Sequence, residues 1–104
     1  MKKNLGIDHL SLQDLATIFQ QILQKAKGQK GHLEEEIWKV SDKMTYIRHL
    51  LHSQQKIEFA VLFSLEMSRE ELIVIFLALL EMMKMGELRV IKDSVQQQIL
   101  IVPS

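Results

Sequence analysis

A chain of 104 residues has room for one compact domain and a short extension. Thirteen basic residues balance thirteen acidic ones, whereas a domain that grips nucleic acid through its phosphates carries a clear basic excess. The absence of cysteine excludes disulfides, thiol catalysis and zinc–cysteine sites. The longest apolar run, Leu72 to Leu80, falls far short of the ~20 residues that cross a bilayer. Lys2, Lys3, Asn4 and Asp8 break up the stretch where a signal peptide would be apolar. The expectation is a soluble, intracellular chain.

Residues 1–10 read as an N-terminal tail. The first helix follows, because Leu12, Leu15, Ala16, Phe19, Ile22, Leu23 and Ala26 recur at three- and four-residue steps on one face. Ser11 is placed to cap it, Asp14 suits its N-terminus, and Lys25 and Lys27 suit its end. A single stripe predicts a helix that packs on one side only, and Gly28-Gln29-Lys30-Gly31 is the best linker in the chain. Residues 11–31 are therefore expected as a helix plus linker, set apart from a domain over 32–104.

His32 to Val40 lacks a helical period and predicts an extended lead-in anchored by Ile37, Trp38 and Val40. Ser41 is expected to cap a second helix with Met44, Ile47, Leu50 and Leu51 inward. Ile57 to Phe59 alternates as a short strand, and Ala60 to Phe63 makes a turn or two of helix. Ser68 with Glu71 forms a capping-box pattern that starts a long helix. That helix runs to Lys84 or Met85, where Gly86 ends it. Glu87 to Ile91 and Val95 to Val102 then predict a hairpin with Lys92-Asp93-Ser94 at its tip, closed by Pro103. The fold class is mainly α with a small β hairpin. Helix, short strand, short helix, long helix and hairpin is the winged-helix order, here preceded by an amphipathic helix.

Nothing in the chain predicts catalysis or a cofactor. His49 and His52 lie three apart, but no carboxylate is spaced to complete a metal site, so two solvated histidines are the better reading. His9 and His32 are isolated. Glu34-Glu35-Glu36 reads as a solvated acidic run, and no phosphate loop, HExxH pattern or nucleophile elbow is present.

The long helix is where composition becomes informative. At ~100° per residue, Leu72, Ile75, Leu79, Met82 and Met83 make one stripe, and Ile73, Phe76, Leu77 and Leu80 make a second beside it. A helix apolar nearly all round is buried on more than one side, and a domain this small has few elements to cover both stripes. The expectation is that the second stripe, with Lys84 at its rim, meets a partner protein. As a DNA-recognition helix it lacks the right side chains, since three glutamates stand against one arginine and one lysine. A winged-helix DNA-binding regulator and a homo-oligomerising adaptor are the rival readings.

Ser68 through Glu81, on through Lys84 and Gly86 to Val90, resembles the C-terminal signature of bacterial segregation and condensation protein A. The shared features are a serine-capped entry, Phe76-Leu77-Ala78-Leu79-Leu80-Glu81, a lysine near the helix end and a short strand. Trp38 to Met44 resembles the family's lead-in, and Asp14-Leu15 with Phe19 resembles its central region. One departure lies in the wing, where Lys92, Gln96 and Gln97 replace the family's glutamine and aromatic-glycine pair.

The resemblance implies a non-catalytic kleisin subunit of an SMC complex, cytoplasmic and nucleoid-associated, that acts in chromosome condensation and segregation. The family's proteins are longer, so it also implies a C-terminal fragment or a short relative. The winged helix would dock on an SMC ATPase head through Ile73, Phe76, Leu77, Leu80 and Lys84. The first helix would meet segregation and condensation protein B through Leu12, Leu15, Phe19 and Ile22. DNA would be reached only through the complex, with no membrane, metal or small-molecule substrate.

Overall fold

Ser11 begins the first helix as its side chain predicts. Its Oγ accepts from the Asp14 amide, and the Asp14 carboxylate accepts from the Ser11 amide, each at 3.1 Å, so two orphan donors are satisfied reciprocally. The computed structural model describes residues 7–26 and 38–104. Within them, α1 (Leu12–Lys25) ends two residues earlier than expected, with Ala26 extended after it. The expected linker Gly28–Gly31 and most of the lead-in lie outside the described residues.

α2 (Val40–Gln54) starts one residue before its expected cap. Lys39 is the extended N-cap and makes no side-chain cap bond; its carbonyl accepts from Asp42 and Lys43. Ser41 is therefore in the first turn rather than at the cap. Gln55 closes the helix in the left-handed conformation, φ 68°. β2 (Ile57–Glu58) starts where expected and ends one residue early, so α3 (Phe59–Leu62) begins and ends one residue earlier than expected.

α4 (Arg69–Lys84) starts and stops where its signals say. The Ser68 hydroxyl accepts from the Glu71 amide at 3.1 Å. The reciprocal half of the expected capping box is replaced, because the Glu71 carboxylate accepts from Lys43 Nζ at 2.8 Å instead. At the far end Gly86 takes φ 77°. Its amide donates to Met83 O and the Glu87 amide to Met82 O, the paired bonds of a Schellman ending.

The hairpin is β3 (Leu88–Asp93) and β4 (Gln98–Pro103), so its tip falls later than expected, at Ser94 to Gln97. The cause is local. Asp93 Oδ1 accepts from the amides of Val95 and Gln96, and Gln97 turns left-handed at φ 57°. That leaves Lys92 and Asp93 free to pair with Ile99 and Gln98.

A strand that the sequence reading placed in the tail, β1 (Ile7–His9), pairs antiparallel with β3. Three residues carry too little alternation to announce themselves; the open edge of β3 selects them. The antiparallel sheet thus has the order β1-β3-β4-β2.

One core joins these parts. Ile47 and Leu51 of α2, Phe59 and Leu62 of α3, and Leu72, Ile75, Leu79 and Met82 of α4 meet the inner face of the sheet at Ile57, Leu88, Val90 and Ile101. Leu15 and Phe19 of α1 belong to the same cluster. The packing thus runs across the boundary expected at residues 31 and 32. The first helix meets its packing surface within this chain.

Candidate docking surface

Nine apolar residues in succession on one helix force a choice of which to bury, and the neighbours of α4 make it. Leu72, Ile75, Ala78, Leu79 and Met82 face the core, which is the first stripe with Ala78 added; Met83 is only partly buried. Ile73 and Leu77 remain 39% and 45% exposed. The second stripe is therefore present but divided. Phe76 turns toward α1, where its ring stacks on Phe19 with centroids 4.2 Å apart, and Leu80 is partly buried.

The same contact divides the residues expected on the first helix. Leu15 and Phe19 are consumed in the core, Ile22 is partly buried against it, and Leu12 stands 58% exposed. Arg69 reinforces the join: its Nη1 donates at 2.9 Å to the Leu23 carbonyl, which also accepts from the Ala26 amide at the helix end. Phe63 leans on Phe19 at 5.5 Å, and Phe59 leans on Phe63 at 4.8 Å, which extends the aromatic stack into α3.

A groove of about 550 Å³ opens between three helices. Leu77, Leu80 and Met83 of α4 line it, Leu12 of α1 and Val40 of α2 contribute from either side, and Glu81 and Lys84 complete it. Of the five residues expected on the docking face, Leu77, Leu80 and Lys84 come together here. Ile73 lies outside the lining, and Phe76 is directed elsewhere. Leu12 and Val40 enter the site from distant parts of the chain, and no signal in the sequence links them to α4.

The electrostatics around this surface are simple. Lys43 Nζ lies 2.8 Å from Glu71 and 4.7 Å from the centroid of the Trp38 ring, tying the start of α2 to the start of α4. Arg48 reaches Glu87 with both Nε and Nη2, at 3.0 and 3.1 Å, and that hydrogen bond raises the guanidinium above its ordinary pKa. Glu81 and Lys84 take part in no ion pair with a described residue. His49 and His52 are exposed, and no cluster of three metal-ligating side chains occurs among the described residues. No described helix is long and apolar enough to cross a membrane.

Fold and surface together define a mainly helical domain on a small antiparallel sheet, whose distinguishing feature is an apolar groove. Compared with known proteins, the chain is similar to segregation and condensation protein A of Brevibacillus brevis (strain 47), 30% identical over 98 residues. The resemblance in the α4 signature thus extends to 91% of the chain, which is segregation and condensation protein A-like. The match spans 38% of that relative's length. No family model matches the chain, and no solved structure matches it.

Proposed function

We propose that this chain is a non-catalytic kleisin segment that docks on an SMC ATPase head in a complex for chromosome segregation and condensation. The observation that carries the reading is the surface of α4, where Leu77 stands exposed beside an open apolar groove. An apolar surface of this kind marks a protein interface more readily than a polar one. The name of the similar protein supports the chromosomal role. ATP chemistry would belong to the SMC heads, and this chain would bridge them, cytoplasmic and associated with the nucleoid.

The order α2, β2, α3, α4, β3, β4, with β2 paired to β4, supports reading residues 40–103 as a winged helix with β3–β4 as its wing. The shared core supports treating 7–26 and 38–104 as one unit. Contact with segregation and condensation protein B through α1 would then fall on Leu12 and the flank of Ile22, since Leu15 and Phe19 are occupied. DNA contact would be indirect. From Ser41 onward, the seven basic residues Lys43, Arg48, Lys56, Arg69, Lys84, Arg89 and Lys92 face eight acidic ones, too even a balance for a phosphate-binding surface.

The test is a binding titration of the chain against an isolated SMC ATPase head, with Leu77→Arg beside the native sequence. Saturable binding that Leu77→Arg abolishes is expected. Salt-sensitive affinity for duplex DNA without head binding would overturn the reading.

A further inference from the structure

We propose that α1 is a self-docked arm that shields Phe76, and that the partner docking on α4 displaces it to complete the docking face. The inference rests on the head-docking reading and adds a regulated step to it.

The geometry of α4 supplies the first half of the case. Ile73, Phe76, Leu77 and Leu80 stand at positions i, i+3, i+4 and i+7 of one helix face. Ile73 and Leu77 are exposed, whereas Phe76 between them is partly buried. Its cover is Phe19 of α1, stacked on it with ring centroids 4.2 Å apart. A residue of the same chain thus interrupts an apolar face that is open on either side of it.

The second half is how α1 is held. Among the described residues, its one hydrogen bond to another element runs from Arg69 Nη1 to the Leu23 carbonyl, and that bond is exposed to water. No ion pair between described residues reaches α1. By contrast, α2 is tied to α4 by the shielded Lys43–Glu71 pair and to the turn after α4 by Arg48–Glu87. Apolar contact keeps α1 in place, with Leu15 and Phe19 buried and Ile18, Ile22 and Leu23 partly so. Such contact is non-directional, so a partner's apolar surface can take its place. Moving parts are drawn from the elements least tied to the rest of a fold. Residues 27–37 join the arm to α2, so a displaced arm stays tethered.

Displacement couples two equilibria. When the arm is mostly closed, the affinity for the partner is reduced by the fraction of open molecules. Loosening the arm must then weaken the fold and tighten binding together. A purely structural α1 gives the other sign, because damage to the fold weakens binding or leaves it unchanged.

The experiment titrates the full chain against the isolated SMC head, with circular dichroism melting of every variant. Arg69→Ala removes the hydrogen bond, and Phe19→Leu removes the stack while keeping an apolar side chain. Each should lower the melting temperature and tighten head binding by about threefold or more. The gain from Phe19→Leu should vanish in Phe19→Leu/Phe76→Ala, where the uncovered ring is gone. Hydrogen exchange should show the α1 amides losing protection as the native chain binds the head.

Native binding that both variants leave unchanged, with α1 still protected, would overturn the arm and leave head docking standing. Weaker binding by both variants would also overturn it and would make α1 part of the docking surface. No binding by the native chain or by either variant would sink the head-docking reading and the arm with it. A gain from Phe19→Leu that survives the loss of Phe76 would refute Phe76 as the residue uncovered.

Discussion

Phe19 of α1 lies flat on Phe76 of α4, with ring centroids 4.2 Å apart and planes 5° from parallel. This one contact takes an aromatic from each of the two faces that the sequence offers to partners and spends both inside the molecule. It makes the first helix part of the domain, and it covers Phe76 while Ile73 and Leu77 of α4 stay exposed.

The first prediction follows from that stack. Deleting residues 1–26 removes Leu15 and Phe19 from the core and uncovers Phe63 and Phe76. Truncating one buried phenylalanine typically costs ~3–5 kcal/mol, a large share of the ~5–15 kcal/mol that holds a small domain together. The remaining chain should lose cooperative thermal unfolding or melt well below the full chain. An unchanged transition would show that α1 is dispensable to the fold.

The two faces of α4 can be separated by matched substitutions. Leu79 is 1% exposed and Leu77 is 45% exposed. Leu79→Arg buries an unpaired charge and should abolish folding as read by circular dichroism. Leu77→Arg can direct its charge into water and should shift stability by less than ~1 kcal/mol while eliminating head binding. The reverse pattern would mean that the buried and exposed stripes are exchanged.

Gly86 ends α4 with φ +77°, and a Cβ built there meets no atom within 4 Å. Gly86→Ala should therefore cost only the backbone penalty of a left-handed residue, ~1–2 kcal/mol. In a domain of this size that lowers the melting temperature by roughly 4–8 °C per kcal/mol. Gly86→Asn, which tolerates this region better, should cost less. Equal losses for the two would point to a steric cause.

The two ion pairs should differ in weight. Lys43 and Glu71 are 15% and 16% exposed, whereas Arg48 and Glu87 are 46% and 29% exposed. Double-mutant cycles should give the Lys43–Glu71 pair a coupling above the ~0.2–1 kcal/mol usual for exposed pairs, and one that persists at high salt. The Arg48–Glu87 coupling should fall within that range and fade as salt rises. Equal couplings would mean that burial does not set their strength.

Much of the fold was legible because it rests on local chemistry. The Ser11 and Ser68 caps, the Gly86 ending and the apolar spacing of α1 and α4 all act within one or two turns. A sequence displays such neighbours directly. The hairpin was legible in kind but displaced by its tip, because one Asp93 side chain bonding two amides moved the turn beyond the polar triplet that advertised it. The composition also excluded cysteine chemistry before any contact was known.

Tertiary structure alone decided the rest. Helical periodicity says that α4 has two apolar stripes, but only the placement of α1 determines that Phe76 is covered while Leu77 is not. Glu71 abandons half of its capping box because Lys43, 28 residues away, offers a stronger, charge-assisted bond. β1 exists because β3 presents a free edge. The groove joins Leu12, Val40 and Leu77, which share no helix and no local motif. Each outcome is set by partners distant along the chain, and residue spacing encodes only the faces that each helix can offer.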